Sequence, residues 1–384
     1  MQEVIARRVE DDRPIRVQFD DRIRAIEPVT ADVLPDRYVC PGFVDLQVNG
    51  FGGVDFNTNT LSVAEAETAV RTLHTYGATR ILATLITASA EDLRTRAGRL
   101  REAIDASPLV HDTIIGLHLE GPFIATDDGP RGAHPLAHCQ TPSRRVFDAI
   151  HEASGRRIRL LTLAPERPGA LDLIKALTRD GFVVALGHLH GDDAIIDAAV
   201  RAGASLSTHL GNATHERLPR LANYVQTQLA DDRLQATFIA DGFHIPPKTL
   251  KNFIRAKGIE RSILITDAVV PAGAFEAFVG HKANGAEVTA DGRIVLVGTQ
   301  LLAGSTLTMS AGVANLARWT DCTRADAVHL ATHRPADLIG RHDLGRLEVG
   351  AVADVLIVDW PDEMTVLETY IAGMLCYRRE SAER

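Results

Sequence analysis

The sequence predicts an α/β protein, a (β/α)8 TIM-like barrel carrying a small β-sandwich domain built from both chain termini. Two observations carry this expectation. From residue 41 onward, short β-branched or Leu-rich runs alternate eight times with longer stretches of helical spacing, the pattern of a closed barrel. Short strand-like runs also stand at both ends of the chain, outside that series. An open doubly wound sheet would share the alternation, but no Gly-x-Gly-x-x-Gly turn follows the first run.

Taken in order, residues 2–9, 14–19 and 21–26 read as short strands separated by charged turns. The barrel runs follow at 44–48, 80–86, 113–119, 158–163, 183–187, 205–208, 237–240 and 262–266. Helical candidates between them include 62–75, 90–106, 171–179 and 192–202. The last begins at acidic residues and stops at Gly203, as helix ends do. Residues 275–297 carry the turn signals Ala283-Asn284-Gly285 and Ala290-Asp291-Gly292 and read as a β-hairpin insertion. Residues 353–359 and 366–372 are again strand-like. The expected division is therefore 1–40 with 345–384 for the small domain, and 41–344 for the barrel with its insertion.

Composition narrows the function classes. Of 384 residues, 45% are hydrophobic, enough for a large core, and the charge of −9 comes without a Lys/Arg block. Nucleic acid and anionic membranes are poor partners for such a surface. No apolar run reaches about 18 residues, so no membrane span is expected. The start Met1-Gln2-Glu3 lacks a signal-peptide pattern. Cys40, Cys139, Cys322 and Cys376 are scattered without a CxxC pair. Both features suit a reduced cytoplasm.

The chemistry sits at strand ends, where barrel loops build active sites. Asp45, Gln47 and Asn49 alternate on the first run, so they are expected to share a face. His118 and Glu120 lie on the third, and His188, His209, Asp241 with His244, and Asp267 close later ones. Singly, each has an ordinary structural explanation. Together, Glu120, His188 and His209 converge on one barrel mouth. Two imidazoles and a carboxylate with positions left for water form a catalytic set for Zn²⁺, and Fe²⁺ or Mn²⁺ could use the same ligands. Asp267 either caps its turn or, beside an activated water, carries protons. His190 reads as a loop residue or a fourth ligand.

The run Pro41-Gly42-Phe43-Val44-Asp45-Leu46-Gln47-Val48-Asn49-Gly50 and the run Gly116-Leu117-His118-Leu119-Glu120-Gly121-Pro122-Phe123 then take on a family likeness. So do Gly187-His188, Ser207-Thr208-His209-Leu210, Ala240-Asp241-Gly242-Phe243-His244, Thr266-Asp267-Ala268, Gly304-Ser305-Thr306-Leu307-Thr308-Met309 and residues 350–354. In this order they resemble the amidohydrolase superfamily branch of N-acetylglucosamine-6-phosphate deacetylases, across nearly the whole chain.

That resemblance implies a homodimer that hydrolyses acetate from an amino sugar, with Glu120, His188 and His209 as metal ligands and Asp267 as general base and acid. It also implies substrate contacts at Ala133, His134, Asn212, Ala213, His244, Leu302, Ala303 and Gly304. Gln47 and Asn49 stand where most of the superfamily has a His-x-His pair. Amides are poor zinc ligands, so one divalent ion per subunit is expected. The family's phosphate-gripping arginine loop departs here to Thr214-His215-Glu216-Arg217-Leu218-Pro219-Arg220. Arg217 or Arg220 would have to replace that arginine, or the substrate lacks the phosphate. Rival expectations are another amidohydrolase, opening cyclic amides or deaminating bases, and a silent binding protein of the same fold.

Overall fold

The computed structural model describes residues 1–30, 37–283 and 285–380. Among them, eight parallel strands follow one another in chain order around a nearly closed barrel. These are β1 (Phe43–Val48), β2 (Ala78–Ile86), β3 (Ile114–Glu120), β4 (Ile158–Leu163), β5 (Val183–Leu186), β6 (Leu206–Ser207), β7 (Gln235–Ile239) and β8 (Ser262–Ile265). Each lies within two residues of a run expected from the sequence. The start of β3 moves one residue because Thr113 ends the short helix Pro108–Thr113, its hydroxyl donating to the Leu109 carbonyl at 2.9 Å.

The seam between β8 and β1 is closed by other means than a continuous ladder. Val48 bridges to Ala268, and the Asn49 N–H donates to the Ala268 carbonyl at 2.7 Å. Buried Asp45 completes the closure, accepting from Thr266 Oγ1 at 2.6 Å and from the Gln47 N–H at 3.2 Å. On the other side of the strand, the register of β1 against β2 shifts between Asp45 and Val48. Asp45 therefore turns to the seam while Gln47 and Asn49 meet the site, and the single face expected for all three is broken.

Two apolar layers support the barrel. Val44, Leu46, Leu82, Leu160, Leu206, Ile239, Ile263 and Ile265 pack in one interior cluster. A larger cluster lies between strands and helices. Helix Ala90–Ala106 shows why its sequence is helical: Leu93, Ala97, Leu100 and Ile104 fall on one buried stripe, and Ser89 caps the Asp92 N–H. Each such buried leucine contributes roughly 1.5–3 kcal/mol. Helix Asp193–Ala202 starts at the Asp192 cap and ends at Gly203, whose φ of 117° favours glycine.

A seven-stranded sheet gathers both ends of the chain. Its order is Met374–Arg378, Thr365–Ile371, Val355–Asp359, Tyr38–Pro41, Gln2–Arg8, Pro14–Phe19 and Ile23–Pro28. Tyr38–Pro41 and Met374–Arg378 are strands beyond those expected from the sequence. The sheet curls over its own core of Val4, Ile15, Val17, Ile23, Val355 and Ile357. Phe19 and Tyr370 consequently meet edge to face at 5.2 Å although three strands separate theirs. A buried ion pair ties this sheet to the barrel, with Arg80 Nε and Nη2 donating to Asp354 at 2.6 and 2.8 Å.

The expected hairpin at 275–297 is instead a three-stranded antiparallel sheet of Lys282–Ala283, Ala286–Val288 and Ile294–Leu296. Phe275–Ala277 forms a 3-10 turn, so the strands begin later than the turn signals alone implied. Asn284, part of one such signal, lies outside the described residues, as do 31–36 and 381–384 of the terminal segments. No described helix is long and apolar enough to cross a membrane.

Candidate active site

Three polar residues leave their strands in an unusual conformation. His188, His209 and Asp267, just past the ends of β5, β6 and β8, have φ of 51°, 31° and 51°. Left-handed backbone costs a non-glycine residue on the order of 1–3 kcal/mol and persists only where the surroundings impose it. Here the His209 N–H donates to Thr237 Oγ1 at 2.6 Å, and the His188 carbonyl accepts from the Ala125 N–H at 2.9 Å.

The side chains meet around one carboxylate oxygen. Glu120 Oε1 lies 3.2 Å from His188 Nε2 and 2.8 Å from His209 Nε2. His188 Nδ1 is 3.0 Å from the Pro130 carbonyl, which only accepts, so Nδ1 carries the proton and Nε2 offers a lone pair. A lone pair facing a carboxylate at that distance calls for a cation between them. Donor set and geometry together fit a divalent metal. His134 joins the cluster as well: Glu120, His134 and His188 each offer a ligand atom within 4.8 Å of the others. Its ring stands edge-on to His188, 4.3 Å between centroids.

Asp267 is placed by two amides, one on β1 and one just past its end. Asn49 Nδ2 donates to its Oδ1 at 2.7 Å and Gln47 Nε2 at 3.0 Å, while Gln47 Nε2 also reaches Glu120 Oε1 at 3.0 Å. Gln47 thus bridges the two carboxylates. Burial pushes Asp267 up to about 6, the Glu120 charge adding to the rise and the Asn49 hydrogen bond opposing it. Burial would also raise Glu120, but the imidazoles of His188 and His209 beside it outweigh that and hold this carboxyl well below its ordinary value. Burial drives His134 down to about 3, so its ring is neutral. His118 stays behind the site, Nε2 against Thr162 Oγ1 at 2.8 Å, and burial lowers it to about 4.

A cavity of about 290 Å³ opens over these groups. Of the residues expected to touch substrate, Ala133, His134, Asn212, Ala213, Leu302, Ala303 and Gly304 line it. Arg217 does not; it lines a separate cavity with Glu166, His190 and Tyr224. His244 is also absent from the lining, its Nδ1 held 2.6 Å from Asp241 Oδ2. His190 points at Asp127 and His215, away from the cluster. Sequence reasoning missed Ile86, Val269, Gln300 and Leu301 in the wall. Only the Gly129-Pro130-Arg131-Gly132 turn carried a readable signal, its glycines marking close backbone approach. Asn49, Ile86, Ala133, Val269 and Ala303 also border an adjoining groove of about 1160 Å³.

A hydrolytic barrel with its polar cluster at the carboxyl strand ends is the class that fold and site define. Residues 38–376 match the model of the amidohydrolase family, and the chain belongs to that family. It is similar to the N-acetylgalactosamine-6-phosphate deacetylase of Shewanella sp. (strain ANA-3), 34% identical over 89% of this chain and 84% of that protein. It is equally 34% identical to the human N-acetylglucosamine-6-phosphate deacetylase, covering 91% of this chain and 85% of the relative. Among solved structures, the N-acetyl-D-glucosamine-6-phosphate deacetylase of Mycobacterium smegmatis superposes with a TM-score of 0.86. It is 29% identical, over 98% of this chain and all of that one.

Proposed function

We propose that this chain is a metal-dependent hydrolase that removes the acetyl group from an N-acetylated hexosamine, N-acetylglucosamine 6-phosphate being the first substrate to test. The observation that carries the reading is the convergence of His188 and His209 Nε2 on Glu120 Oε1, beside an Asp267 carboxylate held by two amides. Deacetylases among the relatives supply the reaction class. The Shewanella relative is named for the galactosamine epimer, so both sugars belong in the assay.

Glu120, His188 and His209 would hold one divalent ion, with zinc the best match to two imidazoles and a carboxylate. His209 is preferred to His134 as third ligand because its Nε2 addresses the same oxygen as His188. His134 is then left free to face substrate. When bound, the ion supplies Lewis acidity, lowering the pKa of water and polarising the amide oxygen. Gln47 and Asn49 direct their N–H groups at Asp267, which leaves them as donors to a carboxylate and unsuited to hold a second ion.

The remaining steps belong to the chain's own residues. Asp267 accepts a proton from the attacking water as the new C–O bond forms. It then returns that proton to the amine nitrogen as the C–N bond breaks, giving acetate and the free amino sugar. Neutral His134 donates a hydrogen bond to the acetamide oxygen. Asn212, Ala213, Leu302, Ala303 and Gly304 orient the sugar. Exposed Leu221 beside exposed Arg217 and Arg220 suits a homodimer contact, and a cytoplasmic location accords with four free cysteines.

Acetate release from N-acetylglucosamine, N-acetylgalactosamine and their 6-phosphates tests the reading directly. Turnover should vanish on chelation and return with one equivalent of metal. No release from any of the four by metal-replete protein would reject it.

A further inference from the structure

We propose, resting on the metal-dependent reading above, that Thr162 on β4 is a positioning residue for the ion. Its one side chain ties together the three chain segments that carry Glu120, His188 and His209.

Among the described residues, no side chain of β4 lines the cavity. Thr162 is buried between β3 and β5, in register with Glu120 on one side and Ala185 on the other. Its Oγ1 lies 2.8 Å from His118 Nε2 and 2.7 Å from Thr208 Oγ1. His118 stands two residues before Glu120 on the same strand, and Thr208 directly precedes His209. The Thr162 carbonyl accepts from the Gly121 N–H at 3.0 Å, which fixes the backbone just after Glu120.

The methyl group reaches the third segment. A Cβ on Gly187, the residue before His188, would fall 2.7 Å from Thr162 Cγ2 and 3.0 Å from Thr208 Cβ. The backbone leading into His188 therefore rests directly on the two threonines.

Such a tie is needed because His188 and His209 hold φ of 51° and 31°, a left-handed backbone that relaxes unless its surroundings impose it. A hydroxyl with partners on both sides keeps two strand ends at a fixed separation, and buried chains of hydrogen bonds reinforce one another. Ligands held in place before the ion arrives give up less freedom on binding it. Groups behind metal ligands commonly change affinity by about 10–100-fold when removed.

The chain supplies a matched control. His74 Nε2 lies 2.9 Å from Thr113 Oγ1, an equally buried imidazole–hydroxyl pair. Thr113 stands just before β3, at the opposite end of that strand from Glu120.

Zinc affinity of the metal-stripped protein, read by competition with a chromophoric chelator, tests the assignment without recourse to turnover. Thr162→Val keeps the methyl and removes the hydroxyl, and its zinc Kd should rise about 10–100-fold. Thr162→Ser keeps the hydroxyl and should stay within about fivefold of the parent, as should Thr113→Val, both below that range. Urea unfolding of the stripped proteins should show Thr162→Val and Thr113→Val destabilised to a similar degree, so that only affinity separates them. Should Thr162→Val fail to fold, Thr208→Val breaks the same bond from its other side and is held to the same threshold. A valine variant within about threefold of the parent would overturn the proposal. So would a Thr162→Ser or Thr113→Val protein as weak for zinc as Thr162→Val. Each of these results leaves the deacetylase reading intact, whereas a parent protein that takes up no zinc would remove the metal-dependent reading and the proposal together.

Discussion

Replacing Asp267 by Asn isolates proton transfer from architecture. The carboxylate oxygen Oδ1 already accepts from Asn49 Nδ2 at 2.7 Å and Gln47 Nε2 at 3.0 Å. An asparagine carbonyl keeps both bonds and changes only Oδ2 to an amide nitrogen. The hydrogen bonds lose their charge-assisted character, but a buried negative charge beside Glu120 is also relieved. Unfolding free energy should therefore move by no more than about 1 kcal/mol.

Turnover is a different matter, because an amide cannot take the proton from water. The loss should be about 10²–10⁴ in kcat, or roughly 3–6 kcal/mol at about 1.4 kcal/mol per factor of ten. Acetate release, metal content and urea unfolding, measured on one preparation, separate the effects. Turnover within tenfold of the parent, or a loss that merely follows loss of metal, would refute the assignment.

Three further outcomes follow from the same geometry. Asn49→Ala removes a donor that holds the Asp267 carboxyl down, so the acid limb of kcat/KM should move to higher pH. In the parent, activity needs the ionised form and should fall as pH drops below about 6, or lower once a cation is bound; an unchanged limb in the variant contradicts this. Asp354→Ala strands Arg80 in the junction between β2 and the terminal sheet, where the two side chains are 7% and 1% exposed. Urea titration should show a loss of about 3–5 kcal/mol, and a change below 1 kcal/mol would argue against a joining role. Burial holds His74 neutral in the folded chain, lowered from 6.5 to about 4. The unfolded chain takes up a proton there first, so stability falls as pH drops from about 6.5 to about 4, by up to about 3 kcal/mol. His74→Gln should flatten that stretch of the stability-against-pH curve, and an equally steep curve would exclude His74 as its source.

Local physics explains what was legible in the chain. Apolar spacing, N-caps such as Ser89 and Asp192, and the stop at Gly203 act over about four residues, so the order and type of the barrel elements could be read directly. The polar residues at strand ends were legible for the same reason, since a parallel barrel brings all carboxyl ends to one rim. Tertiary packing decided the rest. The register shift in β1 arises where it pairs with β2, and the meeting of Gln47 with Asp267 joins residues 220 apart in the chain. The loop path that leaves Arg217 outside the cavity and brings His134 against His188 is likewise settled by neighbours remote in sequence. Periodicity carries no information about such meetings, because the energy that selects them exists only once distant segments have packed.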